Sequence, residues 1–156
     1  MNTLLRLAVI GALTLLSACT QDPLTGPPEI RPGRDQCAAC GMLISEDRCA
    51  SAEIVRVRGR AEYALFDDIG CMLDHHPAET EVVQRFVRNH STRAWVVASA
   101  AAYLHEPNIR TPMGSGIVAF SSAQEAAREF PGAGAAVTFD QLVRSRQAAA
   151  PATIHP

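Results

Sequence analysis

Twice in this chain a short apolar run ends in Phe, two acidic or hydroxyl residues follow, and an apparent helix begins. The segments are Phe66-Asp67-Asp68 and Phe120-Ser121-Ser122. Asp and Ser are helix starters because their side-chain oxygens accept from the unpaired amides of the first turn. Around the first, residues 48–57 and 61–66 read as strands joined at Arg58-Gly59-Arg60, with Gly59 at the tip. Asp67-Asp68 then cap a helix over 69–76 that Pro77 ends. Residues 79–89 read as a second short helix, because Val82, Val83, Phe86 and Val87 fall on one helical face. A strand at 93–98 follows.

Around the second, strands at 101–105 and 117–120 precede a helix ending at Phe130, with Ala123, Ala126, Ala127 and Phe130 inward and Pro131-Gly132 as its stop. Residues 136–139 read as a strand, and Asp140 caps a final helix to about Ser145. The repeat predicts an α+β fold: two ββαβ units, over 37–99 and 100–146, packed as one body. A single irregular α+β domain is the alternative.

The N-terminus reads as an address. Arg6 supplies a positive charge and residues 7–16 an apolar stretch too short to span a bilayer. Leu16-Ser17-Ala18-Cys19 then looks like a bacterial lipobox, the alternative being an ordinary signal peptide. Such a signal implies removal of residues 1–18 and diacylation of Cys19. Thr20, not Asp, follows, so the expected destination is the outer membrane, facing the periplasm. Residues 19–36 hold four Pro and two Gly and read as a flexible tether. Residues 147–156, rich in Ala and Pro and including His155, read as a disordered tail.

With Cys19 acylated, four of the five cysteines remain: Cys37, Cys40, Cys49 and Cys71. An oxidising compartment permits disulfides, but roughly 110 folded residues bury a core without them. The net charge is only −2, and no basic patch or aromatic platform points to nucleic acid. Every side-chain cation apart from His is Arg, which we read as compositional bias.

Three segments offer chemistry. In Cys37-Ala-Ala-Cys40-Gly-Met42 two thiols and a thioether sit within one turn of backbone. A CxxC pair serves zinc and redox centres as well, but the thioether tilts the set toward Cu(I). In Thr111-Pro-Met113-Gly-Ser-Gly116 a lone Met stands in a stretch too broken to be core. In Asp67-Asp68-Ile69-Gly70-Cys71-Met72, with His75 and His76 beyond, helical spacing puts sulfur and imidazole on one face. That group completes a metal site or forms a second one; otherwise Cys71 and Met72 face the core and the histidines face solvent. Cys49 reads as a core thiol, and His90 and His105 as structural.

Taken together with the lipobox at Cys19 and with Ala119-Phe120, these segments resemble the NosL family, the accessory lipoproteins of nitrous oxide reductase. The resemblance implies a membrane-anchored, periplasm-facing Cu(I) chaperone with no catalysis of its own. Its expected partners are a copper-donating membrane transport complex and a copper enzyme client such as nitrous oxide reductase. Carried over, the foremost ligands are Cys40 and Met113, with Cys37 and Met42 in support; Cys71, Met72, His75 and His76 remain candidates. The family fold is two ββαβ units. The rivals are a thiol–disulfide oxidoreductase using Cys37 and Cys40, and a zinc module using Cys37, Cys40, Cys49 and Cys71.

Overall fold

Arg58 and Gly59 both take positive φ, 49° and 79°, which is the two-residue turn that matches strand twist and the reason Gly sits at its second position. The computed structural model describes residues 24–78 and 80–149. The turn joins β1 (Ser51–Val57) to β2 (Arg60–Phe66). Asp68 then caps α1 (Ile69–Leu73), its carboxylate accepting from the Gly70 amide at 2.7 Å. β3 (Thr80–Arg88) and β4 (Trp95–Val97) complete an antiparallel sheet in the order β2-β1-β3-β4. A turn of 3-10 helix, Ala98–Ala100, leads to a second antiparallel pair, β5 (Ala102–His105) and β6 (Ile117–Phe120). Ser122 caps α2 (Ala123–Glu129), and α3 (Phe139–Ala149) closes the chain.

The α+β architecture stands, and so does the repeat in outline. In each unit the first strand is central, with the second strand on one side and the post-helix segment on the other. In the second unit that last strand shrinks to one bridge, Tyr103 with Val137. The strand expected over 136–139 is cut short because Thr138 and Gln141 exchange hydrogen bonds as a capping box, so the helix starts at Phe139. The cap is therefore Thr138, not Asp140. The helix also outruns Ser145 and reaches Ala149, through Ala-rich sequence of high helix propensity and past an Arg146–Asp74 ion pair. The first residues of the expected tail are thus helical.

Other expectations are corrected likewise. Residues 80–88 form β3, not a helix. Register shifts between Ile54 and Val55, leaving Val83 as an extra, exposed residue on β3. Past the bulge, Val82 rejoins the inward face that carries Arg85 and Val87. Breaking the two-residue alternation at one point makes a strand imitate a helical stripe. Helix α1 ends at Leu73, so His75 and His76 lie beyond it; Pro77 disfavours helical backbone at His76. On α2 only Ala126 is buried and Phe130 half-buried, while Ala123 and Ala127 are exposed. The expected tether is docked from Gly26 onward: Tyr63 donates to the Gly26 carbonyl at 2.7 Å and Trp95 to that of Pro28 at 3.0 Å. Ile30 and Ile44 pack there with Ala50, Leu65 and Trp95, covering the outer face of the sheet.

The inner face carries the main core, which both units share: Val55, Phe66, Ile69, Met72 and Val87 with Tyr103, Ile117, Ala119 and Leu142. A second cluster, with Leu104, Val118, Phe120 and Ala126, lies under α2 and contains Cys49. A bridge from Asn89 to Ala119 stitches the units together. The signal and Cys19 lie outside the described residues. Among those described, no helix is long and apolar enough to cross a membrane.

Candidate metal centre

The Cys37–Met42 loop is a tight reversal. The Cys37 amide donates to Met42 O and the Gly41 amide to Cys37 O, each at 2.8 Å. Gly41 sits at φ +74°, a backbone region that favours Gly. The Ala38 amide donates to Leu65 O at 2.7 Å and fixes the loop to the end of β2. That placement brings the thiols beside α1. The sulfurs of Cys37, Cys40 and Cys71 all lie within 4.8 Å of one another. A metal–thiolate bond of roughly 2.3 Å would space three trigonal sulfurs roughly 4 Å apart, so the group fits one soft ion with little movement.

The three thiols differ in setting. Cys37 is buried, Cys71 half-buried and Cys40 exposed. Burial opposes a Cys37 thiolate, but the amides of Asp67, Cys40 and Ala39 and the Cys40 side chain outweigh it and hold the thiol below its ordinary value. Cys71 is pushed well up, first by burial and then by Cys37 and Asp68. The arrangement favours one anchored thiolate, with a second proton displaced when a cation arrives.

The loop carrying Met113 lies against the same helix. Its amide donates to Asp68 Oδ2 at 3.1 Å. Thr111 Oγ1 stands 3.4 Å from Ser115 Oγ and accepts from the Gly116 amide at 3.2 Å, bracing the loop. A Cβ on Gly70 would stand 2.5 Å from that of Ser115, so the helix needs Gly where the loop crosses it. Met113 is 38% exposed and Met42, on the thiol loop, 49%.

The remaining candidates are placed elsewhere. Met72 is buried in the main core. His75 turns to the sheet, 3.4 Å from Glu53 and edge-on to Phe66. His76 is exposed beside Leu73 and Arg146. Of the helix group, only Cys71 joins the other thiols. Cys49 lies in the separate cluster under α2, its thiol pushed up to about 12 by burial and by Glu46 and Asp68. The four-thiol zinc module is therefore not assembled. His90 packs against Phe120 and Phe130.

Sequence reasoning missed Asp67. Its amide meets the Cys37 sulfur, and its carboxylate accepts from the Ser45 amide at 2.9 Å. The available signal was that two acids stand where one cap suffices.

The NosL family model matches residues 29–146. Among solved structures, the crystal structure of the copper chaperone NosL from Shewanella denitrificans is similar, with 19% identity and a TM-score of 0.58. The match covers 76% of this chain and 96% of that one. None of the curated proteins matches. A family model spanning all but the ends of the chain decides the matter: this protein belongs to the NosL family.

Proposed function

We propose that this protein is a Cu(I) metallochaperone held to the periplasmic face of the outer membrane by a lipid on Cys19. It would take copper from a membrane transport complex and supply it for copper-site assembly in nitrous oxide reductase. The observation that carries the reading is the close group of Cys37, Cys40 and Cys71, graded from buried to exposed. Soft thiolates favour Cu(I) among biological metals. Family membership and the copper chaperone of like fold support the same cargo.

The proposed chemistry is ligand exchange. Cys37, held by three amides, anchors the ion. Cys40 is the exposed sulfur, so an incoming ligand from a partner reaches the ion on that side and displaces Cys40 first. Met113 and Met42 are exposed and can offer thioethers to the ion. The oxidoreductase reading suits the geometry less well. An attacking thiol needs exposure and a lowered pKa together. Here the thiol held below its ordinary value, Cys37, is buried.

Anaerobic titration with Cu(I) against a chromophoric competitor tests the proposal. One ion should bind per chain, and Cys40→Ser and Cys71→Ser should each weaken binding at least tenfold. Insulin reduction without copper uptake would overturn the reading. For the client, deletion in the host should lower the copper content of nitrous oxide reductase, restored by the wild-type gene and not by Cys40→Ser. For the anchor, labelled fatty acid should enter the wild-type chain and not Cys19→Ser.

A further inference from the structure

We infer that Asp68 is the positioning residue of this site, holding Met113 at the thiol group so that its thioether enters the copper sphere; the inference rests on the Cu(I) reading above. Asp68 is fully buried. One oxygen accepts from the Gly70 amide at 2.7 Å and so sets the start of the helix that carries Cys71. The other accepts from the Met113 amide at 3.1 Å, across 45 residues of sequence and from one unit to the other. A cap alone does not call for this residue. Ser, Asn and Thr cap helices comparably, and a buried carboxylate carries a desolvation cost they avoid. What a carboxylate adds is a second acceptor without a proton of its own. Here that acceptor is spent on the backbone of an exposed methionine.

The rest of the loop agrees with such a role. Its internal bonds from Thr111 to Ser115 and Gly116 make it a stiff unit, and Ser115 rests on Gly70. A stiff loop fixed at Met113 moves as a whole when that bond is lost. Affinity alone does not separate the lost Asp68 charge from the lost placement of Met113, so the Met113 amide and methyl group are read as well.

The test is Asp68→Asn in the full chain, with Met113→Ala and the double variant. Asn offers one acceptor oxygen, so either orientation turns an N–H₂ toward an amide donor. Metal-site residues acting through another ligand typically change affinity by about 10–100-fold, which is the expected loss of Cu(I) affinity. Met113→Ala should lose affinity too, and adding it to Asp68→Asn should cost less than twofold more. The ¹³C-methyl resonance of Met113 should shift with Cu(I) in the wild type and stay still in Asp68→Asn. Before copper is added, the Met113 amide should exchange with solvent at least tenfold faster in the variant. Asp68→Ser, which keeps a capping hydroxyl too short to reach Met113, replaces Asp68→Asn if that variant does not fold. Independent, multiplicative losses in the double variant, or an unchanged Met113 amide, overturn the assignment to Asp68. Loss-free Met113→Ala overturns it as well and leaves the thiol site intact. A wild-type chain that takes up no Cu(I) overturns the copper reading along with it.

Discussion

Gly70→Ala should destabilise the protein, although Ala ordinarily stabilises a helix. Helix propensity favours Ala over Gly by up to ~1 kcal/mol, and less in a helix of one turn. Against this stands the neighbouring loop. The new Cβ would lie 2.5 Å from Ser115 Cβ, 3.1 Å from Asp68 Oδ1 and 3.2 Å from Ser115 Oγ. Carbon–carbon contacts settle at about 3.5–4.0 Å, so the loop must retreat by roughly 1 Å. Ser115 cannot swing aside, because the clashing atom is its Cβ and the loop is braced through Thr111. Overpacking of this kind costs about 1–3 kcal/mol, and the braced loop puts this case toward the upper end. Net destabilisation is then about 1–2 kcal/mol, or roughly 1 M in urea midpoint for a domain of this size. The single Trp, half-buried Trp95 with its indole bonded to Pro28, reports unfolding by fluorescence. Ser115→Gly alone should also destabilise, since Ser115 Oγ accepts from the Ile117 amide at 3.2 Å. In the double variant the clash disappears, so the two effects should fall short of their sum by at least 1 kcal/mol. Gly70→Ala at or above wild-type stability, or strictly additive effects, would refute the close approach of loop and helix.

Other consequences follow from single sites. Cys49→Ala should leave Cu(I) stoichiometry and affinity unchanged and lower stability by about 1–2 kcal/mol through lost burial under α2. Native alkylation at pH 8 should label Cys40 first and Cys49 last, read by mass spectrometry, because the Cys49 thiol is buried and pushed up to about 12. Glu53→Gln should cost about 1–3 kcal/mol in urea unfolding, since the buried carboxylate accepts from Arg85 Nε at 2.8 Å. The His90 pKa is lowered, first by burial and then by Arg48, while Glu129 and Glu46 pull the other way. The unfolded chain then binds the proton more readily. The His90 contribution is full above the ordinary value near 6.5 and fades as pH falls through that value toward the folded one. His90→Phe should therefore show a smaller loss of Tm than wild type between pH 7 and pH 5.

Much of the architecture was legible because its signals are local. Phe66-Asp67-Asp68 and Phe120-Ser121-Ser122 mark two strand–helix junctions, and Arg58-Gly59 marks a hairpin. Two of the misreadings are non-local. Val83 breaks the alternation of β3 because of a bulge opposite Ile54 and Val55, which no pattern within β3 discloses. The Pro-rich segment after Gly26 has the composition of a tether, yet Tyr63 and Trp95 supply distant donors that hold it. At the site, the motifs were readable but not their combination. Cys71 and Met72 are sequence neighbours on a helix, and only the orientation of α1 sends one to the thiols and the other to the core.

The acidic pair before α1 ties three separate motifs to one helix. Asp67 faces the first half: its carboxylate takes Ser45 and its amide takes the Cys37 sulfur. Asp68 faces the helix and the second half, through Gly70 and Met113. Successive residues in extended backbone point opposite ways, so two adjacent carboxylates can fasten a segment on each side. The helix that follows carries Cys71 to the two thiols of the first side. A metal carrier needs ligands that are placed well enough to bind and free enough to exchange. On the mechanism proposed above, placement falls to backbone amides and to two buried carboxylates that are not among the proposed ligands. Cys40, the sulfur proposed to leave first, is the exposed one. Holding the ion and letting it go would then fall to different atoms, so that neither has to be compromised for the other.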